Sequence, residues 1–358
     1  MDYSLVCTNC GIVYESNYNK QICNSCNGLL AVKYKHNVKR KLIRSSELRS
    51  FWDFEELLPK SKYKHYELGN TKLIKSYEEG EEKLYLKLEI DNPTHSFKDR
   101  GSVIEVTKAI EYGYDKIVCA STGNMAYSIA YYAKLSGIKS KIFISNNANK
   151  DKVKYIRETH DADITRVDGD FNMALKMAEG YSEREHAFLA GDYCYRMEGQ
   201  RTIAYEIALQ MKDVSNIIVP VGNATLLSGI IKAEKEMLDA GIIKKMPKII
   251  GVEAERCAPL YKAFNNKSKV VYEKPNTKAD AIAVGYPTFG EQSLELLRKY
   301  KGDFVAVSDD DMIREQKNFY NTYGLIAEMA GVASIAAFKK LKDKLKGKSI
   351  AIISGGNI

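Results

Sequence analysis

Hydrophobic and polar positions follow two different periods along most of this chain. From about residue 84 onward, short β-branched runs are each followed by a stretch with helical periodicity, which is the pattern of a doubly wound α/β sheet. Nine strands are too many for one simple sheet. The predicted strands are Leu84–Glu89, Lys116–Ala120, Lys141–Ser145, Ile164–Val167, Ala187–Ala190, Ile217–Val221, Lys248–Glu253, Phe304–Val307 and Ser349–Ile353.

Helical stretches lie between these strands and end near Gly, Asp or Lys, as helix termini often do. They are predicted at Asn124–Ser136, Asp151–His160, Gly199–Lys212, Leu226–Ala240 and Gly331–Lys346. Residues 36–60 form a basic, poorly periodic connector with one helical turn around Ser46–Leu57. The sequence contains no internal repeat, so the domain borders are inferred from motifs.

Four of the seven cysteines stand in two closely spaced pairs, Cys7-x2-Cys10 and Cys23-x2-Cys26. This spacing lets two tight turns present four thiolates to one tetrahedral Zn²⁺. Gly11 and Gly28 follow the pairs, where a residue tolerant of positive φ is needed. A closed four-thiolate site is structural, and the metal supplies stability that so short a segment lacks. Loss of the metal and a disulfide pairing are the alternatives.

Length and composition fit an ordinary globular protein. The chain has 358 residues, of which 45% are apolar and 28% charged. We predict a zinc ribbon at residues 1–35, a connector and the start of the large domain at 36–94, a small α/β domain at 95–190 and a large α/β domain at 191–358. The sequence has no apolar run of about 18 residues and no signal peptide, so we expect a cytoplasmic protein without a membrane segment.

The net charge of +8 raises the question of nucleic-acid binding. The lysines are scattered through amphipathic stretches and form no single patch, so solvated helix faces account for most of them. A zinc-dependent nucleic-acid or partner-binding module with an inactive α/β body is the alternative from another class. We expect no nucleic-acid partner, because positive charge also suits an enzyme whose ligands carry phosphate.

The carboxyl ends of the predicted strands are the places to look for a ligand site, because parallel α/β sheets bind ligands there. Residues 92–101, Asn-Pro-Thr-His-Ser-Phe-Lys-Asp-Arg-Gly, follow the first strand, and Ser96 can cap a helix that begins close to Lys98. The positive end of a helix dipole favours the free amine of a lysine, the form that makes an imine. The alternative is a surface lysine paired with Asp99.

Three further strand ends carry small and hydroxyl residues. Residues 121–125, Ser-Thr-Gly-Asn-Met, run into a helix whose first amides suit a substrate carboxylate, or form an N-cap cluster with no ligand. Residues 222–226, Gly-Asn-Ala-Thr-Leu, suit a phosphate or make a plain tight turn. Ser354 follows the last strand and offers a neutral hydroxyl to a pyridine nitrogen. With Lys98, these sites match the needs of pyridoxal 5'-phosphate (PLP).

On these motifs the chain resembles the fold-type-II PLP enzymes of the tryptophan synthase beta-like superfamily, and among them the threonine synthases. The resemblance covers nearly the whole chain, and in residues 92–101 the family pattern changes only at His95, where Gly is usual. It implies two doubly wound α/β domains with an N-terminal zinc ribbon, a homodimer, and Lys98 as both Schiff-base lysine and α-proton base.

The resemblance also implies roles for the other motif residues. The cofactor contacts that it implies are Lys98, Asn124, Gly222, Asn223, Ala224, Thr225, Leu226 and Ser354. The substrate contacts, including Lys176 as a cation for a substrate phosphate, are Ser121, Thr122, Gly123, Asn124, Met125 and Lys176. Arg196 and Arg201 are further candidate cations.

The implied activity is the threonine-biosynthetic conversion of O-phosphohomoserine and water to threonine and phosphate. Two departures lie on the substrate side: Met125 replaces a usual Thr, and residues 192–195, Asp-Tyr-Cys-Tyr, replace a usual Asn-Pro pair. The ending at Ser354 is closer to the dehydratase and serine racemase pattern. A threonine or serine dehydratase, or a cysteate or cysteine synthase that uses phosphoserine, are therefore the alternatives.

Overall fold

The computed structural model describes residues 1–37, 48–62, 65–80, 82–121, 123–145, 153–154, 156–158, 161–169 and 171–356. Thr122 and half of the predicted helix Asp151–His160 lie outside these residues. The chain divides into two compact units. The first contains Met1–Asn37, Phe54–Glu67 and Lys98–Gly199, and the second contains Val38–Asp53, Leu68–Phe97 and Gln200–Ile358.

Strands and helices alternate as the sequence predicts. The strands are β1 (Tyr3–Cys7), β2 (Val13–Glu15), β3 (Leu30–Tyr34), β4 (Leu73–Glu79), β5 (Glu82–Leu88), β6 (Lys116–Ala120), β7 (Lys139–Ser145), β8 (Asp163–Val167), β9 (Phe188–Ala190), β10 (Val214–Pro220), β11 (Lys248–Ala254), β12 (Asp303–Val307) and β13 (Gly347–Ile353). The α-helices are Lys98–Glu111, Asn124–Ser136, Phe171–Arg184, Cys194–Gln200, Thr202–Gln210, Thr225–Asp239, Pro259–Asn265, Gly290–Lys299, Asp309–Tyr323 and Ala333–Leu341. Short 3₁₀ helices occur at Phe51–Leu57, Glu89–Asp91, Asp280–Ile282, Ala330–Val332 and Lys342–Lys344.

The first unit contains two sheets. An antiparallel sheet in the order β2-β1-β3 forms the N-terminal module, and its strand β1 alternates buried and half-buried residues. A parallel four-stranded sheet has the order β8-β7-β6-β9. Because the chain runs outward from β6 to β8 and returns at β9 on the other side, the strand order reverses between β6 and β9. Ligands of open α/β sheets bind at such a reversal point.

The second unit contains a six-stranded sheet in the order β12-β11-β10-β13-β5-β4. All neighbouring pairs are parallel except β4 and β5. Its central strands are continuous apolar runs, such as the buried Ile217–Val219 stretch of β10, as expected for strands covered on both faces. Here the order reverses between β10 and β13, so the residues after these two strands share one reversal point.

All nine strands predicted from periodicity form, with bounds that differ by a few residues. The edge strand β4 was not predicted, because its residues are exposed or half-buried along its whole length and carry no alternation. The predicted helix Gly199–Lys212 is two helices, Cys194–Gln200 and Thr202–Gln210, and Gly331–Lys346 contains the shorter Ala333–Leu341. The compact units break at Lys98 and Gly199, and the domain borders inferred from the motifs stay predictions. Among the described helices, none has the length and apolar composition needed to cross a membrane.

Candidate active site and zinc centre

Lys98 is the first residue of the helix Lys98–Glu111. The segment before it is held against the end of β13: Ser96 pairs with Gly355 in an antiparallel bridge, and the Phe97 amide donates to the Ser354 carbonyl at 3.1 Å. These contacts hold Ser96 and Phe97 against the residues that follow β13. The Lys98 side chain is 20% exposed, so solvent reaches part of it.

His95 adopts a left-handed backbone conformation, with φ of 55°. A β-carbon is disfavoured there, which explains why glycine is usual at this position in the family that the sequence resembles. The amide of Gly356 donates to the His95 carbonyl at 2.9 Å, and the His95 ring lies 3.2 Å from the Ile90 carbonyl. The turn is therefore kept despite the substitution.

The helix Asn124–Ser136 begins at the reversal point of the four-stranded sheet. Gly123 stands at its N-cap, no side chain caps the helix start, and no acidic residue occupies the first turn. The Gly123 amide donates to Ser121 Oγ at 3.3 Å. Asp99 accepts a hydrogen bond from Ser128 Oγ at 2.6 Å, so the first turn of the Lys98 helix is tied to this helix.

The loop at residues 222–226 lies after β10 and leads into the helix Thr225–Asp239. Ala224 has a φ of 62°, and again no side chain caps the helix and no acidic residue lies in its first turn. A β-carbon at Gly222 would lie 3.0 Å from the Ala281 carbonyl, so the loop leaves little space for a side chain. Asn223 accepts hydrogen bonds through Oδ1 from the Thr288 amide and hydroxyl, at 3.2 and 3.1 Å.

Ser354 follows β13, the neighbour of β10, and is 7% exposed. The sequence-predicted phosphate loop and pyridine partner thus stand at the ends of two adjacent parallel strands. The helix Asp309–Tyr323 begins differently. There Ser308 Oγ accepts from the Asp311 amide at 3.1 Å, and the first turn is acidic. The helices Thr202–Gln210, Pro259–Asn265 and Ala333–Leu341 also begin without a side-chain cap or an acidic first turn. What distinguishes the helices Asn124–Ser136 and Thr225–Asp239 is that each follows a strand at a point where the strand order reverses.

The Lys98 amine has an acidic neighbour that the sequence argument did not place beside it. Lys98 Nζ lies 4.0 Å from the carboxylate of Asp192, which follows β9 and is 9% exposed. The sequence pattern marked Asp192 only as a departure from the family. Its pairing with Lys98 joins residues far apart in the chain, and the reversal point between β6 and β9 was the only available signal.

Glu105 and Arg196 form a fully buried ion pair next to the contact between Lys98 and Asp192. Arg196 Nε donates to the Gly191 carbonyl at 2.8 Å, and the Gly191 amide donates to Glu105 at 2.9 Å. Burial raises the pKa of the Glu105 carboxyl, and the Arg196 guanidinium opposes that rise. No local sequence pattern reveals this pair.

The three basic side chains predicted to bind a substrate phosphate differ in burial. Arg196 and Arg201 are buried and form ion pairs with Glu105 and Glu236, so they serve the interior of the protein. Lys176 is exposed on the helix Phe171–Arg184, on the side opposite the buried face that carries Ala174 and Ala178. Within the described residues, no hydrogen bond or ion pair joins Lys176 to the loop that begins at Ser121.

The four predicted zinc ligands are brought together. The Sγ atoms of Cys7, Cys10, Cys23 and Cys26 all lie within 4.8 Å of one another. The Cys7–Cys26 and Cys10–Cys23 separations are 3.5 and 3.6 Å. A tetrahedral Zn–S distance of about 2.3 Å implies separations of about 3.8 Å, whereas a disulfide needs about 2.05 Å. The donor set therefore fits a tetrahedral Zn²⁺, and both separations are longer than a disulfide bond.

The turns around the cysteines are built as the spacing requires, with one correction. Amides of Asn9 and Ser25 donate to the sulfurs of Cys7 and Cys23, each at 3.4 Å. Gly11 has a φ of 75°, as predicted. Gly28 does not take a positive φ. It is required for space, because a β-carbon there would lie 3.0 Å from the Cys7 sulfur.

The cysteine module is attached to the helical part of its unit by polar contacts. Tyr3 Oη lies 3.0 Å from Tyr195 Oη, and Gln21 Nε2 donates to the Leu189 carbonyl at 2.6 Å. Lys108 Nζ lies 5.0 Å from the centre of the Tyr3 ring. These contacts hold the cysteine module against the rest of the first unit.

Comparisons with known proteins agree with this architecture. The family model described as pyridoxal-phosphate dependent enzyme matches residues 65–356. The threonine synthase of Methanosarcina acetivorans is 34% identical over 355 residues, covering 95% of this chain and 87% of that protein. That of Methanocaldococcus jannaschii is 34% identical over 356 residues, covering 94% and 87%.

Solved structures support the fold. Maize serine racemase superposes with a TM-score of 0.73 at 22% identity, covering 90% of this chain and 94% of the racemase. The chain therefore belongs to the pyridoxal-phosphate dependent enzymes and, within them, to the threonine synthase family.

Proposed function

We propose that this protein converts O-phosphohomoserine and water to threonine and phosphate, with Lys98 as cofactor anchor and proton-transferring base. The observation that carries the proposal is the position of Lys98. Its partly exposed side chain stands at the start of the helix Lys98–Glu111, beside the carboxylate of Asp192. Relatives named threonine synthase, 34% identical over most of the chain, support the choice of reaction.

The cofactor contacts assigned here follow from the place of their loops after β6, β10 and β13 and from the family resemblance. The amides of residues 222–226 (Gly222, Asn223, Ala224, Thr225 and Leu226) would hold the cofactor phosphate, since they open a helix with neither a side-chain cap nor an acidic first turn. Asn124 would contact the ring oxygen of the cofactor, and the Ser354 hydroxyl would face the ring nitrogen.

The substrate contacts follow the same reasoning. The amides of the loop formed by Ser121, Thr122, Gly123, Asn124 and Met125 would bind the substrate carboxylate at the start of the helix Asn124–Ser136. Lys176 remains the proposed cation for the substrate phosphate, although its exposed position requires that the phosphate approach from solvent.

When bound, PLP supplies an electron sink for charge that develops at the substrate α-carbon. The residues of this chain do the rest. The Lys98 amine accepts the α-proton and can return it, because the same nitrogen is released when the substrate amine takes its place. The Ser354 hydroxyl carries no charge, so it leaves the ring nitrogen unprotonated and favours elimination over transamination. Helix-start amides orient the carboxylate without adding a competing base.

We further propose that Cys7, Cys10, Cys23 and Cys26 hold a structural Zn²⁺. Four thiols with no open coordination position suit a structural role. A homodimeric assembly and a cytoplasmic location stay predictions from the sequence.

The experiment that tests the reaction is a substrate panel with the purified PLP-loaded protein, read by release of phosphate and of ammonia. We expect O-phosphohomoserine to give threonine and phosphate in equal amounts. Ammonia and 2-oxobutyrate from threonine, without turnover of O-phosphohomoserine, would mean a dehydratase. Phosphate from phosphoserine when sulfide or sulfite is supplied, without turnover of O-phosphohomoserine, would mean a cysteine or cysteate synthase. Lys98→Ala should abolish turnover and the near-visible absorbance of the lysine-linked cofactor.

A further inference from the structure

Asp192 occupies a position in the fold where ligands and catalytic groups usually lie. It follows β9, and β9 pairs with β6 at the point where the strand order of the four-stranded sheet reverses. Its carboxylate is 9% exposed and lies 4.0 Å from Lys98 Nζ. An acidic side chain that is nearly buried beside the reactive amine is not explained by solubility or by surface charge.

The backbone around Asp192 is held rigidly. The neighbouring Gly191 uses both of its backbone polar groups: its amide donates to Glu105 at 2.9 Å, and its carbonyl accepts from Arg196 Nε at 2.8 Å. A β-carbon at Gly191 would lie 2.8 Å from the Tyr193 ring, so the turn is also closely packed. The loop that carries Asp192 is therefore not free to move away.

The same buried pair also contacts the lysine side of the interaction. Arg196 donates through its guanidinium to the Lys98 carbonyl at 3.5 Å and forms its ion pair with Glu105. Gln21, from the cysteine module, donates to Glu105 at 3.5 Å. One buried ion pair thus fixes the backbone on both sides of the contact between Lys98 and Asp192.

We propose that Asp192 is a positioning residue that holds the Lys98 nitrogen in its positively charged form and in a fixed direction. The proposal rests on the role of Lys98 in the proposed function. A carboxylate within about 4–6 Å favours the charged form of a neighbouring basic nitrogen. It opposes the helix dipole, which favours the neutral amine. A positive charge on the nitrogen that links the cofactor makes that link more reactive toward an incoming substrate amine.

Two other charged groups near Lys98, among the described residues, do not oppose this effect. Arg196 is balanced by Glu105 while that carboxyl is ionised, and the adjacent Asp99 accepts a hydrogen bond from Ser128. Burial raises the pKa of Glu105. The Glu105 carboxyl is therefore fully ionised, and the charges of Glu105 and Arg196 sum to zero, only toward alkaline pH. The titration of the Lys98 nitrogen is therefore best followed above about pH 8, where the charge of Glu105 is constant.

The first measurement is a pH titration of the near-visible absorbance of the PLP-loaded protein. Asp192→Asn, which keeps the shape and removes the charge, should lower the midpoint pH of the spectral transition by about one unit. Asp192→Glu should restore part of the shift. The matched control is Asp163→Asn in the same unit, whose partner is Lys141 at 2.7 Å, and it should leave the midpoint unchanged. We expect kcat to fall more than KM rises in Asp192→Asn.

A second measurement needs no cofactor. Full-length protein freed of PLP is labelled with an amine-acylating reagent at several pH values, and labelling of the Lys98 peptide is read by mass spectrometry. Asp192→Asn should label Lys98 at a lower pH than the wild type, since only the neutral amine reacts. Asp192→Ser serves as a second neutral variant if Asp192→Asn does not fold.

The two measurements separate the possible failures. An unchanged Lys98 labelling midpoint in both neutral variants would overturn the role of Asp192. A labelling shift in a protein that never acquires the near-visible band would keep the Asp192 contact and refute the proposed function.

Discussion

The close contact between two glycines gives the sharpest prediction from the packing. The helix Cys194–Gln200 crosses the helix Lys98–Glu111 at Gly199, where a β-carbon would lie 1.9 Å from the Arg100 carbonyl oxygen and 3.0 Å from the Gly101 α-carbon. Ordinary contacts begin near 3.4 Å, so Gly199→Ala requires the two backbones to separate by more than 1 Å. The neighbouring atom is backbone and cannot rotate away.

Overpacking in a well-packed interior costs about 1–3 kcal/mol, and a clash with backbone belongs at the upper end. We therefore expect Gly199→Ala to lose about 3 kcal/mol of the free energy of unfolding. At about 2–4 °C per kcal/mol for a domain of this size, Tm should fall by roughly 6–12 °C in thermal unfolding followed by circular dichroism. Since Arg100 lies two residues after Lys98, the variant should also lose PLP absorbance at fixed cofactor concentration.

Gly180→Ala is the matched control. Gly180 lies inside the helix Phe171–Arg184, and a β-carbon there meets nothing within 4 Å. Alanine is a better helix former than glycine, so this variant should gain about 0.5–1 kcal/mol. A Tm for Gly199→Ala equal to or above that of the wild type would refute the packing argument, whatever the effect of Gly180→Ala.

Three further predictions concern stability. Chelating the zinc should lower Tm before the PLP absorbance falls, because the cysteine module braces the first unit but contributes no proposed cofactor contact. Lys87→Met should lower the free energy of unfolding in denaturant by about 3–5 kcal/mol, because it leaves the fully buried Glu206, whose carboxylate lies 2.7 Å from Lys87 Nζ, without its ion-pair partner. Lys248→Met, which removes an exposed ion pair, should lower it by under about 1 kcal/mol. Burial raises the pKa of Glu234 to about 8, so Glu234→Gln should stabilise the protein increasingly as the pH rises.

The sign of the Glu234 effect follows from proton binding. The pKa of Glu234 is about 8 in the folded chain, above the ordinary value of 4.5. Between these two pH values the folded chain therefore binds more protons than the unfolded chain. The stability from the neutral carboxyl is complete below pH 4.5 and is lost as the pH rises through 8, at up to about 1.4 kcal/mol per pH unit. A stability gain of Glu234→Gln that is constant from pH 5 to pH 9 would contradict this.

The other two stability predictions have equally definite contrary results. Simultaneous loss of zinc, PLP absorbance and Tm would show that the cysteine module directly supports the cofactor contacts. Equal costs for Lys87→Met and Lys248→Met would show that burial of the Lys87 pair does not set its energy.

The parts of the fold that follow a local rule were predictable from the sequence. The parallel strands were found because continuous apolar β-branched runs, such as Ile217–Val219, mark strands covered on both faces. The four cysteines were found because metal-binding turns need fixed spacing. Strand ends then located Lys98 and the loop after β10, since ligand sites in parallel sheets follow the strands.

The parts that depend on distant partners were not predictable. Glu105 and Arg196 are 91 residues apart in the sequence. The sequence around each residue gives no indication that the two form a buried ion pair. Lys176 was chosen for its charge alone, but the phase of its helix, fixed by the buried Ala174 and Ala178, turns it to solvent. The strand β4 was not predicted, because an exposed edge strand needs no alternation of hydrophobic and polar residues.

The role of Lys98 is the central claim, and one measurement tests it directly. The purified protein is loaded with PLP, reduced with borohydride to fix the cofactor to its lysine, digested, and mapped by mass spectrometry. We expect one modified peptide, with the phosphopyridoxyl group on Lys98. Modification of a different lysine, or none at all in a protein that has bound PLP, would contradict it.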